Sequence, residues 1–181
     1  MDVKNLIFKK TKTDIIEHKK NYVLLGSDGN KITLIIKKCL LPFGYETFNN
    51  KYILNIEITP KKDNEHHNIF AQIDTFEKEF IEQINIKNKE ICEDIEGKGY
   101  YPNMRKSKCG YIIRSYIFGN PEIYTMIGNF KNKLTSIDIK NTVSNIELEL
   151  GTFWITDNNY GIIWYVKKIE VLYNIPTKNI K

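Results

Sequence analysis

The sequence predicts a mainly β fold: a small barrel with one amphipathic helix laid across it and an N-terminal β-hairpin. Three observations lead there. Short apolar runs rich in Ile, Val, Tyr and Phe recur between turn residues. One stretch alone switches to helical spacing. The last two strands are long and carry phase breaks of the kind that bend a sheet into a ring. The chain has 181 residues, the size of one ordinary domain, and no internal repeat or linker divides it. Residues 1–38 read as N-terminal strands, 39–173 as barrel and helix, and 174–181 as a short basic tail.

In chain order, residues 22–26 and 31–36 are apolar runs around Ser27-Asp28-Gly29-Asn30. Asp-Gly supplies the positive φ angles of a tight turn, so these two runs are expected to pair as the hairpin. Leu40-Leu41-Pro42-Phe43-Gly44 then punctuates the chain, and Asn49-Asn50 makes another turn. Residues 51–59 set Tyr52, Leu54, Ile56 and Ile58 against Ile53, Asn55 and Glu57, the alternation of a strand with one apolar face. Beyond Pro60, Ile69, Ile73, Phe76, Phe80 and Ile84 recur at helical spacing, which predicts a helix over about residues 65–85 with Asp63 or Asn64 as N-cap. Glu77, Glu79 and Glu82 are expected on its solvent face, where they would repel phosphate. Strands resume at 111–118 and 122–127 around Gly119-Asn120-Pro121, with another short strand at 134–139.

The closing hairpin, 146–156 with 160–172 around Asp157-Asn158-Asn159, holds a finer signal. Ile146, Leu148 and Leu150 share one phase, while Phe153 and Ile155 reach the same face only if one residue is absorbed near Gly151. Its partner changes phase between Val166 and Ile169, which predicts a second bulge at Lys167-Lys168. Trp164 then falls inside, and Trp154 and Tyr165 outside.

The formal net charge is +5, which suits a polyanionic partner without requiring one. Distribution says more: acids crowd the middle of the chain, whereas residues 98–114 contain none and hold Lys98, Arg105, Lys106, Lys108 and Arg114. Among these stand Tyr100 and Tyr101, with Tyr116 just beyond; rings offer stacking faces to unpaired bases while cations neutralise phosphates. The bland reading is a solvated basic loop whose tyrosines pack inward. Trp154 and Tyr165, with Lys167, form a second candidate cluster on the outward face of the hairpin.

Other chemistries find no support. Cys39, Cys92 and Cys109 are widely spaced, so neither a disulfide framework nor a zinc knuckle is expected. His66 and His67 are adjacent and His18 is remote, the wrong spacing for a metal-binding helix. Gly97-Lys98-Gly99 is followed by Tyr-Tyr-Pro, unlike a phosphate-binding loop. Paired acids such as Glu147 and Glu149 fall on a solvent face. No catalytic residue, metal or cofactor is expected. No apolar run is long enough to span a bilayer, and the N-terminus lacks a signal-peptide core, so an intracellular protein without membrane contact is expected.

The order of elements carries a resemblance: Leu41-Pro42-Phe43-Gly44, a strand, a helix, Tyr100-Tyr101-Pro102 with Arg105, then Gly151-Thr152-Phe153-Trp154-Ile155 and Tyr160-Gly161-Ile162-Ile163-Trp164. Over residues 32–172 this resembles the OB-fold single-stranded DNA-binding proteins of large nucleocytoplasmic DNA viruses, which are related to those of tailed phages. The resemblance implies an OB-type barrel that coats single strands in viral replication, recombination or repair. Tyr101, Arg105 and Arg114 would carry contacts, in the host cytoplasm, at a viral factory, or in the nucleus. It also implies replication proteins as partners and leaves RNA binding and self-association on the strand open. Such proteins often end in an acidic tail, whereas this sequence ends Pro176-Thr177-Lys178-Asn179-Ile180-Lys181, so recruitment through a tail is not expected. The competing reading is a viral interaction module that docks a replication, transcription or virion protein.

Overall fold

The computed structural model describes residues 6–11, 20–60, 64–87, 91, 94–108, 110–127, 130–134 and 139–175. His18, Asp63, Cys92, Cys109 and the basic tail from Pro176 lie outside them. The strands are β1 (Ile7–Lys10), β2 (Lys20–Leu25), β3 (Thr33–Leu41), β4 (Tyr45–Phe48), β5 (Lys51–Ile58), β6 (Gly99–Tyr100), β7 (Met104–Lys106), β8 (Tyr111–Tyr116), β9 (Glu122–Ile127), β10 (Phe130–Lys133), β11 (Thr142–Ile155) and β12 (Asn159–Asn174). The long helix α1 (Asn64–Lys87) lies between β5 and β6.

Five strands close on themselves in the order β3, β5, β8, β12, β11 and back to β3. That ring is an OB-type barrel. The joint between β8 and β12 is parallel, and the other four are antiparallel. Both expected bulges are present in the β11–β12 ladder. Leu150 pairs with Trp164 and Thr152 with Ile163, leaving Gly151 extra on β11. Leu148 pairs with Val166 and Glu147 with Lys168, leaving Lys167 extra on β12. The shifts keep Ile146, Leu148, Leu150, Phe153 and Ile155 buried on one strand, and Trp164, Val166, Ile169 and Val171 on the other.

The helix covers the barrel as its spacing predicts. Ile69, Ile73, Phe76, Phe80 and Ile84 are all buried, with the Phe76 ring 5.8 Å from Trp164 and the Phe80 ring 5.4 Å from Phe153. Deleting such a ring from a core costs about 3–5 kcal/mol. His66 also serves the fold: the Thr59 amide donates to Nδ1 at 3.0 Å, so Nε2 carries the proton and donates to the Lys37 carbonyl at 3.0 Å. Glu77 corrects the expected acidic outer face, because it is buried and turned toward the segment after β6.

Two pairings differ from expectation for one physical reason. The turn at Asp28-Gly29 forms, with Gly29 at φ 78°, yet β2 and β3 do not pair with each other. They lie in tandem along one edge of β11, β2 against residues 152–155 and β3 against residues 142–149. The N-terminal antiparallel pair is instead β1 with β2. Likewise β8 and β9 lie in tandem, both parallel to β12, rather than forming a meander across Gly119-Asn120-Pro121. A strand of 14 or 16 residues has an edge too long for one short partner, and each backbone group along it needs a mate. The turn residues therefore break a continuous edge and do not reverse the chain. Residues 135–138 of the expected strand at 134–139 lie outside the described residues; its ends, Leu134 and Ile139, are not in strands, and β10 ends just before it.

Candidate nucleic-acid interface

A shallow groove crosses the outer face of the barrel where β4, β7, β8, the end of β11 and the first half of β12 meet the segment between β6 and β7. Phe48, Tyr101, Pro102, Asn103, Arg105, Arg114, Tyr116, Trp154, Ile162 and Ile163 line it. No acidic residue does. Five of the residues singled out from sequence therefore converge: Tyr101, Arg105, Arg114, Tyr116 and Trp154.

Strand register explains the convergence. On β8, Arg114 and Tyr116 alternate with buried Ile113 and Ser115, so both arginine and tyrosine face outward. β7 pairs with the start of β8 and sets Arg105 opposite Ile112, bringing the second guanidinium alongside the first. The segment bearing Tyr101 is stitched to β12: the Gly99 amide donates to the Asn158 carbonyl at 3.0 Å, and the Tyr101 amide to the Tyr160 carbonyl at 2.8 Å. The Arg114 amide in turn donates to the Asn103 carbonyl at 3.2 Å.

Each arginine lies over a ring, Arg105 4.5 Å from the Tyr101 centroid and Arg114 4.6 Å from that of Phe48. Among the described residues neither makes an ion pair. Burial and the neighbouring Arg114 charge both push the Arg105 guanidinium below its ordinary pKa. Burial raises the Tyr116 phenol, although Arg114 and Arg105 oppose that shift. Arg114 Nε donates to Asn55 Oδ1 at 3.5 Å, and Asn55 in turn donates to the Glu46 carboxylate, so the acid is held one residue away from the guanidinium. Two like charges held together without a direct ion pair make a site whose electrostatic deficit an anion would relieve.

Two glycines seat the aromatic rings. A Cβ on Gly161 would stand 2.9 Å from Trp154 Cζ2 and 2.9 Å from the Tyr101 carbonyl oxygen. A Cβ on the bulge residue Gly151 would fall 1.9 Å from Tyr165 Cε2, because that ring lies across the bulge. Tyr165 is fixed further by a 3.0 Å hydrogen bond between its hydroxyl and Thr152 Oγ1. Trp154 and Tyr101 approach at 6.1 Å between centroids, and Tyr165 and Phe118 at 5.7 Å.

The remaining sequence candidates stand apart. Tyr100 turns inward, its ring 5.5 Å from that of Tyr160 and its hydroxyl buried, so burial and the nearby Glu77 charge hold its phenol far above the usual range. Lys98, Lys106 and Lys108 do not line the groove, and Lys167 approaches Glu149 at 3.6 Å. Five lining residues were not among the sequence candidates: Phe48, Pro102, Asn103, Ile162 and Ile163. Phe48 ends β4, whose presence the Asn49-Asn50 turn implied, and Phe118 continues the outward series Arg114, Tyr116 beyond β8, 80% exposed. Asn103 and Ile163 gave no sequence signal. Among the described residues no cluster of His, Cys, Asp and Glu could hold a metal ion, and no helix is long and apolar enough to cross a membrane.

No protein-family model matches the chain, and no curated protein sequence matches it. Solved structures do. The chain superimposes on the single-stranded DNA-binding protein from bacteriophage Enc34 with a TM-score of 0.55 at 12% identity, covering 97% of this chain and 95% of that one. It also superimposes on gp2.5, a single-stranded DNA binding protein encoded by bacteriophage T7, with a TM-score of 0.50 at 11% identity, covering 82% and 90% of the two chains. The likeness is one of fold: the barrel described above is shared in outline with phage single-stranded DNA-binding proteins.

Proposed function

We propose that this protein binds single-stranded DNA with little regard to sequence, as a non-enzymatic component of viral DNA replication, recombination or repair. One observation carries the reading: Arg105 and Arg114 lie over aromatic rings in a groove without acids. Stacking on Tyr101 and Trp154 would hold bases of any identity, since every base has a π-face, while the arginines meet the phosphates between them. The fold shared with two phage proteins of that description supports it. RNA would use the same stacking and phosphate contacts.

Titration of labelled oligo-dT at two salt concentrations tests the proposal. Affinity is expected to fall as salt rises, because phosphate contacts release counterions, and single-stranded DNA is expected to outcompete duplex. Absence of binding at low salt, or an affinity indifferent to salt, would overturn it. Parallel titrations with oligo-U rank RNA against DNA.

A further inference from the structure

Glu77 is a carboxylate that the helical pattern assigns to solvent, yet it is only 8% exposed and pairs with no cation among the described residues. Burying a charge in this way is costly unless hydrogen bonds compensate. The compensation comes from the groove wall. Glu77 Oε1 accepts the Asn103 backbone amide at 3.0 Å and the Asn103 side-chain amide at 3.3 Å. Asn103 is itself 8% exposed and lines the groove two residues after Tyr101. Pro102, between them, has no amide to offer a strand. The strap from Gly99 to Asn103 is thus held by the start of β12 at one end and, at Asn103, by the Arg114 amide on its carbonyl and by this helical oxygen on its two amides.

We infer that Glu77 is a positioning residue for the groove: through Asn103 it fixes the strap that presents Tyr101 to a bound strand. The inference rests on the single-strand reading above and adds to it a determinant outside the groove. What the arrangement uses is the acceptor oxygen and not the charge. Burial raises the carboxyl above its ordinary pKa, against the two Asn103 bonds, with Asp74 and the Tyr100 hydroxyl as the other groups facing it. A proton on the second oxygen would leave Oε1 free to accept as before.

Two full-length variants test this. Glu77→Met fills the same space with no acceptor, and Glu77→Gln keeps one. Glu77→Met is expected to bind oligo-dT about tenfold more weakly, the size of one lost stacking contact, with the slope of log affinity against log salt unchanged because no phosphate contact is removed. Glu77→Gln is expected to stay within about twofold of the parent, a tenfold change being 1.4 kcal/mol. A purely structural role would lower the thermal midpoint of Glu77→Met and leave the affinity of the folded protein alone, and that result would overturn the inference. So would equal weakening by Gln and Met.

Amide hydrogen exchange gives a second readout that needs no ligand: protection at Tyr101 and Asn103 should fall in Glu77→Met and persist in Glu77→Gln. If the parent binds no oligonucleotide, the functional reading fails while exchange still judges the strap. Should Glu77→Met not fold, Asn103→Ala replaces it, with a smaller loss in the same direction expected; parental affinity would again overturn the inference.

Discussion

Two outer faces of the same barrel arrange their cations differently. On the face formed by β3, β11 and the second half of β12, lysines meet acids: Lys168 approaches Glu147 at 2.8 Å, Lys31 and Lys167 flank Glu149 at 3.7 and 3.6 Å, and Lys37 reaches Glu65 at 3.4 Å. On the groove face, two arginines lie on rings and neither makes an ion pair among the described residues. Glu46 is held from Arg114 by Asn55, which accepts from Arg114 Nε at 3.5 Å and donates to the Glu46 carboxylate. Exposed ion pairs contribute little to stability, but they do leave the first face electrically settled. The contrast teaches that net charge alone does not distinguish the two faces, whereas the partners of each cation do.

Equal changes in charge on the two faces sharpen this contrast most. Arg105→Ala with Arg114→Ala should weaken oligo-dT binding about a hundredfold at low salt. It should also flatten the salt dependence by about 1.4 in log–log slope, at roughly 0.7 per lost single-strand phosphate contact. Trp154→Ala comes next, with a loss of about 1–3 kcal/mol that persists at high salt because it is stacking that disappears. Gly161→Ala should cost a few fold, since the new methyl displaces the Trp154 ring without deleting it; intrinsic tryptophan emission would report the shift. Lys167→Ala with Lys168→Ala, also a loss of two charges, should change affinity by less than about twofold. If that pair weakened binding as much as the arginine pair, the distinction between the faces would collapse.

Much of the barrel was legible because side-chain period is a rigid constraint. Phe153 and Ile155 could share a face with Leu150 only through an extra residue at Gly151, and the ladder has it there. Strand partners were not legible, because Asp28-Gly29 and Gly119-Asn120-Pro121 specify a local backbone bend and say nothing of which edge the next strand joins. Part of the groove could be read in the same way: Arg105, Arg114, Tyr101 and Tyr116 sit close in sequence, and Trp154 followed from the bulge. Tyr100 and Glu77 misled for a shared reason. Tyrosine and glutamate patterns on a surface segment do not reveal that the segment folds back onto the helix, where one phenol and one carboxylate are buried together.

The ring of strands is not equally wide at every joint. β5 and β8 pair continuously from Ile53↔Tyr116 to Ile58↔Tyr111, whereas β8 and β12 meet at the single register pair Tyr165↔Tyr116. β3 and β5 likewise meet at one pair, Leu40↔Glu57. Tyr116 lines the groove and Tyr165 packs against Phe118, so of these two narrow joints it is the one between β8 and β12 that runs beneath the proposed path of the strand. Narrow joints are where a folded protein opens first. A ligand that recognises only the closed wall adds its binding free energy to the cost of that opening. A nucleic acid lying there would serve as a borrowed stave: the barrel would breathe less at that joint when loaded.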